Sequence, residues 1–325
     1  MGLLTWVLRT PASFPPSGTN NHSNTFAYDP TVNLCLTYDP NADTWQWDGT
    51  DWTNLTPGSP MPNLTNMAIV YDGANSEIVM FGGYDGIVRD YTYLWDWGTA
   101  TWTLQAPATK PSARQSIYMT YDEARGEVVL FGGTTNTSAS GALAQTWVWD
   151  GTTWTQKSPA TSPSARLSGS MKYDRANGNV VLYGGRNISS IVLNETWTWD
   201  GTTWTQESPT LDPDGREFFD MCWDSCAGRV ILFGGVVTPV GGGGSFVDNQ
   251  TWAWDGTDWT NLTPTVGTPT ESDGPGMAYY ESRREATVWT GTKAGGVLND
   301  QTWVLPCGFV PQIYRLVRPM SSRPL

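Results

Sequence analysis

The sequence predicts an all-β fold class: six four-stranded antiparallel units closed into a ring, the last completed by the chain's first strand. Three observations carry this reading. A tryptophan followed five positions later by proline recurs six times, at Trp6, Trp52, Trp102, Trp154, Trp204 and Trp259. An aromatic residue and an acid before a short turn also recur six times, beginning at residues 28, 71, 121, 173, 223 and 280. The two termini each carry only part of a unit. Self-similarity at a period of about 50 residues is the signature of a repeat architecture.

Within a unit, strand A runs into turns such as "YDGANS" and "YDEARG". Strand B is the β-branched and aliphatic run that ends in "IVMFGG", "VVLFGG", "VVLYGG" or "VILFGG", degraded to "CLTYDP" in the first unit and "TVWTGT" in the last. Strand C is the "TWxW" segment and strand D begins near "TxWT", as in "TWVWDGTTWT" at 146–155. Asp-Gly between C and D, at residues 48, 150, 200 and 255, predicts a two-residue type I′ hairpin. The second unit reads "LWDWGTATWT", one residue longer, which predicts a longer turn or bulge. The last unit supplies strands A and B and then "QTWVL" (301–305) as strand C, after which the repeat stops. The opening "LLTWVLRTP" matches a lone strand D, so residues 3–10 complete the last sheet. The expected architecture is a six-bladed β-propeller over 1–305 with a 3+1 closing blade, followed by a tail at 306–325.

Composition narrows function. The 325 residues carry 31 acidic and 18 basic groups, a net charge of −13, which would repel a nucleic-acid backbone. No apolar run is long enough to insert in a membrane. The opening "MGLLTWVLRTPAS" has no apolar core or small-residue cleavage site, so no secretion signal is expected. Cys35, Cys222, Cys226 and Cys307 are irregularly spaced, and His22 is the one histidine, so no zinc site is expected. Cys222 and Cys226 flank a turn and are candidates to pair, although buried thiols are the preferred reading.

The aromatic-acid turn, the run ending in Gly-Gly and the downstream Trp resemble kelch repeats, over about residues 3–305. The resemblance implies a fold and no particular reaction. Kelch-type propellers include binding scaffolds and the central domain of galactose oxidase-like copper enzymes. That copper site needs two histidines and tyrosines, so no metal and no cofactor are expected here.

Two Trp two residues apart in strand C face the same side of a sheet. Trp147, Trp149, Trp197, Trp199, Trp252 and Trp254, with Trp154, Trp204 and Trp259 beside them, therefore read as packing between blades and not as sugar platforms. Function is expected where units differ. The A–B and C–D turns match the repeat, whereas the B–C connections (84–92, 134–145, 186–194 and 236–249) vary, and 236–249 is the longest. On that face, seven residues before the strand-A aromatic, three consecutive units carry Arg114, Arg166 and Arg216, where the others carry Asn21, Leu64 and Asp273. Three guanidiniums at a channel mouth would suit a carboxylate or sulfate, including acidic sugars. The competing reading has each arginine bonded to a neighbouring blade's carbonyls or acids.

Sialidases share six blades and an Arg triad, and Glu217, Asp220 and Tyr118 could be conscripted for their remaining roles, but nothing singles them out. No catalytic residue is expected. The tail holds Arg315, Arg318 and Arg323 and no acid, and with Tyr314, Ile313, Leu316 and Val317 it reads either as a segment lying on the acidic propeller or as a docking arm for a protein partner. The favoured function is a binding or structural module displayed on a virion or surface assembly, contacting protein or glycan through its B–C/D–A face. A free bacterial carbohydrate- or protein-binding protein and an enzyme of acidic sugars are the alternatives. The expected location is extracellular or virion-associated, with the cytoplasm still open.

Overall fold

A computed structural model describes residues 5–15, 24–39, 43–55, 61–239, 244–264, 267–289, 291–298 and 300–307. Six four-stranded antiparallel sheets follow one another along the chain. Blade 1 comprises Phe26–Asp29, Leu34–Tyr38, Thr44–Trp47 and Trp52–Asn54, and blade 2 comprises Ala68–Asp72, Glu77–Phe81, Thr92–Asp96 and Thr101–Leu104. Blade 3 is built from Tyr118–Asp122, Glu127–Phe131, Thr146–Trp149 and Trp154–Lys157, and blade 4 from Ser170–Asp174, Asn179–Tyr183, Thr196–Trp199 and Trp204–Gln206. Blade 5 uses Asp220–Asp224, Arg229–Phe233, Thr251–Trp254 and Trp259–Asn261. Blade 6 takes Gly276–Tyr280, Glu285–Trp289 and Thr302–Pro306 from the C-terminal end and Val7–Arg9 from the N-terminal end. Strand A of each blade contacts strand A of the next, and that of blade 6 contacts that of blade 1, so the propeller is closed. No helix among the described residues is long and apolar enough to cross a membrane.

Closure rests on the predicted N-terminal strand. Val7, Leu8 and Arg9 pair with Val304, Trp303 and Thr302, and Arg9 Nη2 donates to buried Glu285 at 2.7 Å. Each core cluster between blades draws on two neighbours: Val79 and Phe81 of blade 2 pack with Met119, Leu130, Trp149 and Trp154 of blade 3.

The recurring Thr and Trp of the repeated phrase also form a hydrogen-bonded ring. The strand-D indole of every blade donates Nε1 to the first Thr of strand C in the blade before it. Trp102 donates to Thr44, Trp154 to Thr92, Trp204 to Thr146 and Trp259 to Thr196, at 2.9–3.0 Å. Trp6 reaches Thr251 at 3.0 Å and Trp52 reaches Thr302 at 2.9 Å, which carries the ring across the join. The second strand-C Trp does something different. Trp47, Trp95, Trp149, Trp199 and Trp254 are buried, and their N–H groups have no acceptor among the described residues. They act by packing on the strand-D ring, as Trp149 does on Trp154 at 5.5 Å between centroids.

The C–D hairpins differ from expectation. Trp149 pairs with Trp154, so the turn has four residues, and only the glycine of Asp-Gly has positive φ. The aspartate is used through its side chain: Asp150 Oδ1 accepts from the backbone N–H of Thr152 (2.9 Å) and Thr153 (2.8 Å) and from the Thr152 hydroxyl (2.8 Å). Such an Asx turn replaces the type I′ geometry and needs only one residue at positive φ. In blade 2 six residues separate the paired Trp95 and Trp102, against four between Trp149 and Trp154, so this hairpin is longer, as expected, but by two residues and not one.

The sixth unit is displaced by one residue from its predicted register. Tyr279 pairs with Ala286 as Tyr121 pairs with Val128, so Tyr279 is the repeat aromatic and Tyr280 fills the place of the turn acid. Elsewhere that acid caps the A–B turn, as Asp174 Oδ1 does for the N–H of Ala176 at 3.0 Å. Tyr280 instead donates its hydroxyl to the carbonyls of Asn33 and Asp48 in blade 1.

Cysteine use differs too. Cys226 is disulfide-bonded to Cys307, with a Cα–Cα separation of 5.8 Å, while Cys222 and Cys35 are buried thiols. Cys222 lies on strand A facing the core, whereas Cys226 lies in the A–B turn, where the chain leaving blade 6 passes. Burial pushes both free thiols well above the usual range, which leaves them unreactive.

Candidate functional site

Arg114, Arg166 and Arg216 lie just before strand A and are fully buried. Arg114 donates Nε to the Ser112 carbonyl (3.0 Å), Nη1 to the Gly132 carbonyl (3.2 Å) and Nη2 to Ser112 Oγ (3.0 Å) and Gln145 Oε1 (2.7 Å). Arg166 repeats the set with Ser164 and Gly184 and forms an ion pair with Glu195. Arg216 binds the carbonyls of Asp214 (3.3 Å) and Gly234 (3.0 Å), Asp248 (3.2 Å) and Gln250 (3.3 Å). Each guanidinium is thus held inside its own blade, clamped on the first carbonyl of the Gly-Gly that ends strand B. Burial lowers Arg114 to about 10 and also lowers Arg216, against the opposing pull of Asp248. The three do not meet at the channel mouth.

What does meet there is the residue after each arginine. Thr65, Gln115, Leu167, Glu217 and Asp273 pair with the residue that follows the Gly-Gly, or its counterpart: Tyr84, Thr134, Arg186, Val236 and Thr292. Eight of these ten, all but Thr65 and Val236, line a cavity of about 440 Å³ on the D–A/B–C face. The next residue in each segment, Asn66, Ser116, Ser168, Phe218 or Gly274, has positive φ. That conformation turns its N–H towards the carbonyl of the equivalent residue one blade earlier. The bonds run Ser116 to Asn66 (2.8 Å), Ser168 to Ser116 (3.0 Å), Phe218 to Ser168 (2.7 Å) and Gly274 to Phe218 (2.8 Å). The cavity floor is therefore rigid backbone with unlike side chains mounted on it.

Its charge is carried by three groups. Arg186 forms an ion pair with Glu217, whose carboxyl is raised by burial, with Arg186 opposing and Asp273 adding to the rise. The Asp273 carboxyl has no hydrogen bond or ion pair among the described residues, and burial raises it to about 6. Ser168 Oγ is buried without a partner among the described residues. The arrangement offers an unpaired carboxyl, a hydroxyl and amides to a ligand rich in hydroxyl or cationic groups.

Below this floor the channel is plugged. Asn24 of blade 1 donates Nδ2 to the Gly169 carbonyl (3.0 Å), and its Oδ1 accepts from Ser170 Oγ (3.0 Å). Asp220 accepts from Ser170 Oγ (2.9 Å) and from the N–H of Met221 (2.8 Å), Met277 (2.9 Å) and Asn24 (3.3 Å). Burial raises Asp220, with Lys172 and these donors pulling it back. Its oxygens are structural. Tyr118 is likewise fully buried, with its hydroxyl on the carbonyls of Leu167 and Gly184.

Of the residues named from sequence, Glu217 and Asp273 reach the cavity and the arginines position their backbone. Arg186 was missed, although the residue after Gly-Gly varies from unit to unit in the sequence as plainly as the residue after Arg. Tyr314, Arg315 and Arg318 lie outside the described residues, as does part of the 236–249 connection. No protein-family model matches the chain, and no curated protein matches it.

Proposed function

We propose that the protein is a non-catalytic binding propeller of the kelch type that takes a protein or glycan ligand in the cavity of its D–A/B–C face. One observation carries the proposal: positions that build the ring are repeated almost unchanged, while those lining this cavity are different in nearly every blade. An asymmetric polar cavity on a rigid symmetric frame is how a repeat scaffold recognises one ligand. With the arginines engaged internally and Asp273 unpaired, hydroxyl-rich neutral or amino-bearing ligands fit better than acidic sugars. The Cys226–Cys307 disulfide favours an oxidising location. This agrees with display on a virion or other external assembly.

Arrays of neutral, amino and acidic glycans and of surface proteins test the reading. Binding to a neutral or amino-bearing class is expected, weakened about tenfold or more by Asp273→Asn with Glu217→Gln. Binding indifferent to that double substitution overturns it. A second reading, a carbohydrate hydrolase, draws on Glu217 and Asp273 sharing one cavity with raised carboxyls. Turnover of aryl glycosides near pH 5 that Asp273→Asn abolishes would establish hydrolysis over binding.

A further inference from the structure

The opposite mouth of the channel is a second cavity, of about 460 Å³, on the face of the A–B and C–D hairpins. Its wall takes one ring from each blade: Tyr28, Tyr71, Tyr121, Tyr173, Trp223 and Tyr279. Burial raises the hydroxyls of all five tyrosines, so they stay neutral at physiological pH. One residue deeper, the blades present Ala27, Val70, Thr120, Lys172, Cys222 and Ala278. The wall is repeated and the floor is not. Lys172 is the single charge there, half-buried, and its ammonium has no hydrogen bond or ion pair among the described residues.

The surrounding charges define what Lys172 will accept. Beneath it lies Asp220, whose carboxyl it helps to hold down and whose oxygens are occupied by the channel plug. At the rim, Glu123 and Glu281 are joined across the opening by Arg175, at 2.6 and 2.5 Å, and Ser225 also donates to Glu281 at 2.7 Å. An organic cation would suit aromatic walls but is repelled by the ammonium at their base. A dianion would have Lys172 alone to answer it, since Arg175 is taken up by Glu123 and Glu281, and three carboxyl groups nearby. A monoanion on a flat ring satisfies both surfaces, with its charge on Lys172 and its ring faces against the tyrosines and Trp223.

We propose that this mouth binds a ring-bearing monocarboxylate, either an aryl carboxylate or a sugar acid, with Lys172 as the anion partner. The site is independent of the one on the D–A/B–C face, because Asn24, Ser170 and Asp220 fill the channel between them.

Isothermal titration with phenylacetate and with glucuronate tests it, using benzyl alcohol and glucose as neutral counterparts and phenyl phosphate as the dianion. At least one carboxylate is expected to bind with Kd on the order of 1 mM, and ahead of its neutral counterpart and of phenyl phosphate. Whichever of the two binds identifies the ring. Lys172→Met should weaken it about tenfold or more while Lys172→Arg retains it, and Asp273→Asn should leave it unchanged. Urea midpoints of both Lys172 variants equal to that of the parent would exclude a folding defect. If those midpoints fall, the comparison passes to Tyr121→Ala, which should weaken the carboxylate while Lys172 stays in place. Failure of both carboxylates to bind, or equal binding by folded Lys172→Met, overturns the proposal.

Discussion

Thr146→Val isolates one joint of the indole–threonine ring. The substitution keeps shape and strand preference and removes the acceptor of a 2.9 Å bond whose partners, Thr146 and Trp204, are each about 99 % buried. The Trp204 N–H is then left in a dry interface between blades 3 and 4, since no other acceptor is bonded to it. Stranding a buried donor costs about 1–3 kcal/mol. The joint is not shared with the other five, so the loss should appear in full. Urea unfolding followed by tryptophan fluorescence measures it. Trp149→Phe supplies the contrast, because its N–H has no partner among the described residues and the change removes packing area alone. In a double-mutant cycle, Thr146→Val and Trp204→Phe should couple by about 1 kcal/mol or more. A Thr146→Val protein as stable as the parent, or a coupling near zero, would refute the idea that these bonds fasten blade to blade.

Other consequences follow from buried charge and cross-links. Glu77 is raised from its ordinary 4.5 to about 7 by burial and by Asp72, and it lacks the lysine that its counterpart Glu127 finds in Lys157 at 3.5 Å. The folded state holds this proton up to about pH 7 while the unfolded chain releases it near 4.5, so stability falls as pH rises through that window. Glu77→Gln should therefore gain roughly 1–3 kcal/mol at pH 8 and nothing at pH 4, read from urea midpoints at the two pH values. Arg166→Ala should lower stability by roughly 3 kcal/mol, because it strips Gly184 and Glu195 of their shared donor; a fully stable variant would contradict the clamp. Reducing the Cys226–Cys307 bond opens an 81-residue loop and should cost about 4–5 kcal/mol on the chain-entropy account, seen as a lower urea midpoint in dithiothreitol.

The blades were legible because the Trp-to-Pro spacing is set by interactions every blade must make, and neighbouring blades impose the same demand six times. Legibility stopped where one residue could serve two registers. "AYYE" holds adjacent tyrosines, and only the pairing of Tyr279 with Ala286 settles which is the repeat aromatic. It stopped again where a side chain replaces backbone geometry, as Asp150 does in the hairpin turn. The arginines carried a real signal, and of its two readings the one with carbonyl and acid partners holds, though within each arginine's own blade. Their guanidiniums turn inward to the Gly-Gly carbonyl, and that placement presents Gln115, Leu167 and Glu217 at the mouth. The Cys226–Cys307 bond had no local trace, since it depends on where blade 6 returns beside blade 5. The aromatic well around Lys172 was hidden by its own regularity, because a repeated wall reads as scaffold until its unlike floor is seen.

Both mouths exist only if the ring is closed by the N-terminal strand, and that closure is the most direct thing to measure. A chain lacking residues 1–12 loses Trp6, its bond to Thr251, the Arg9–Glu285 pair and the outer strand of blade 6. Loss of a buried Trp alone costs about 3–5 kcal/mol, and the exposed edge of Thr302–Pro306 invites association. Side-by-side urea unfolding and light scattering of the two chains should show a much lower midpoint and aggregation for the shortened one. A truncated chain that stays monomeric and unfolds at the midpoint of the full chain would contradict a propeller closed by its first strand.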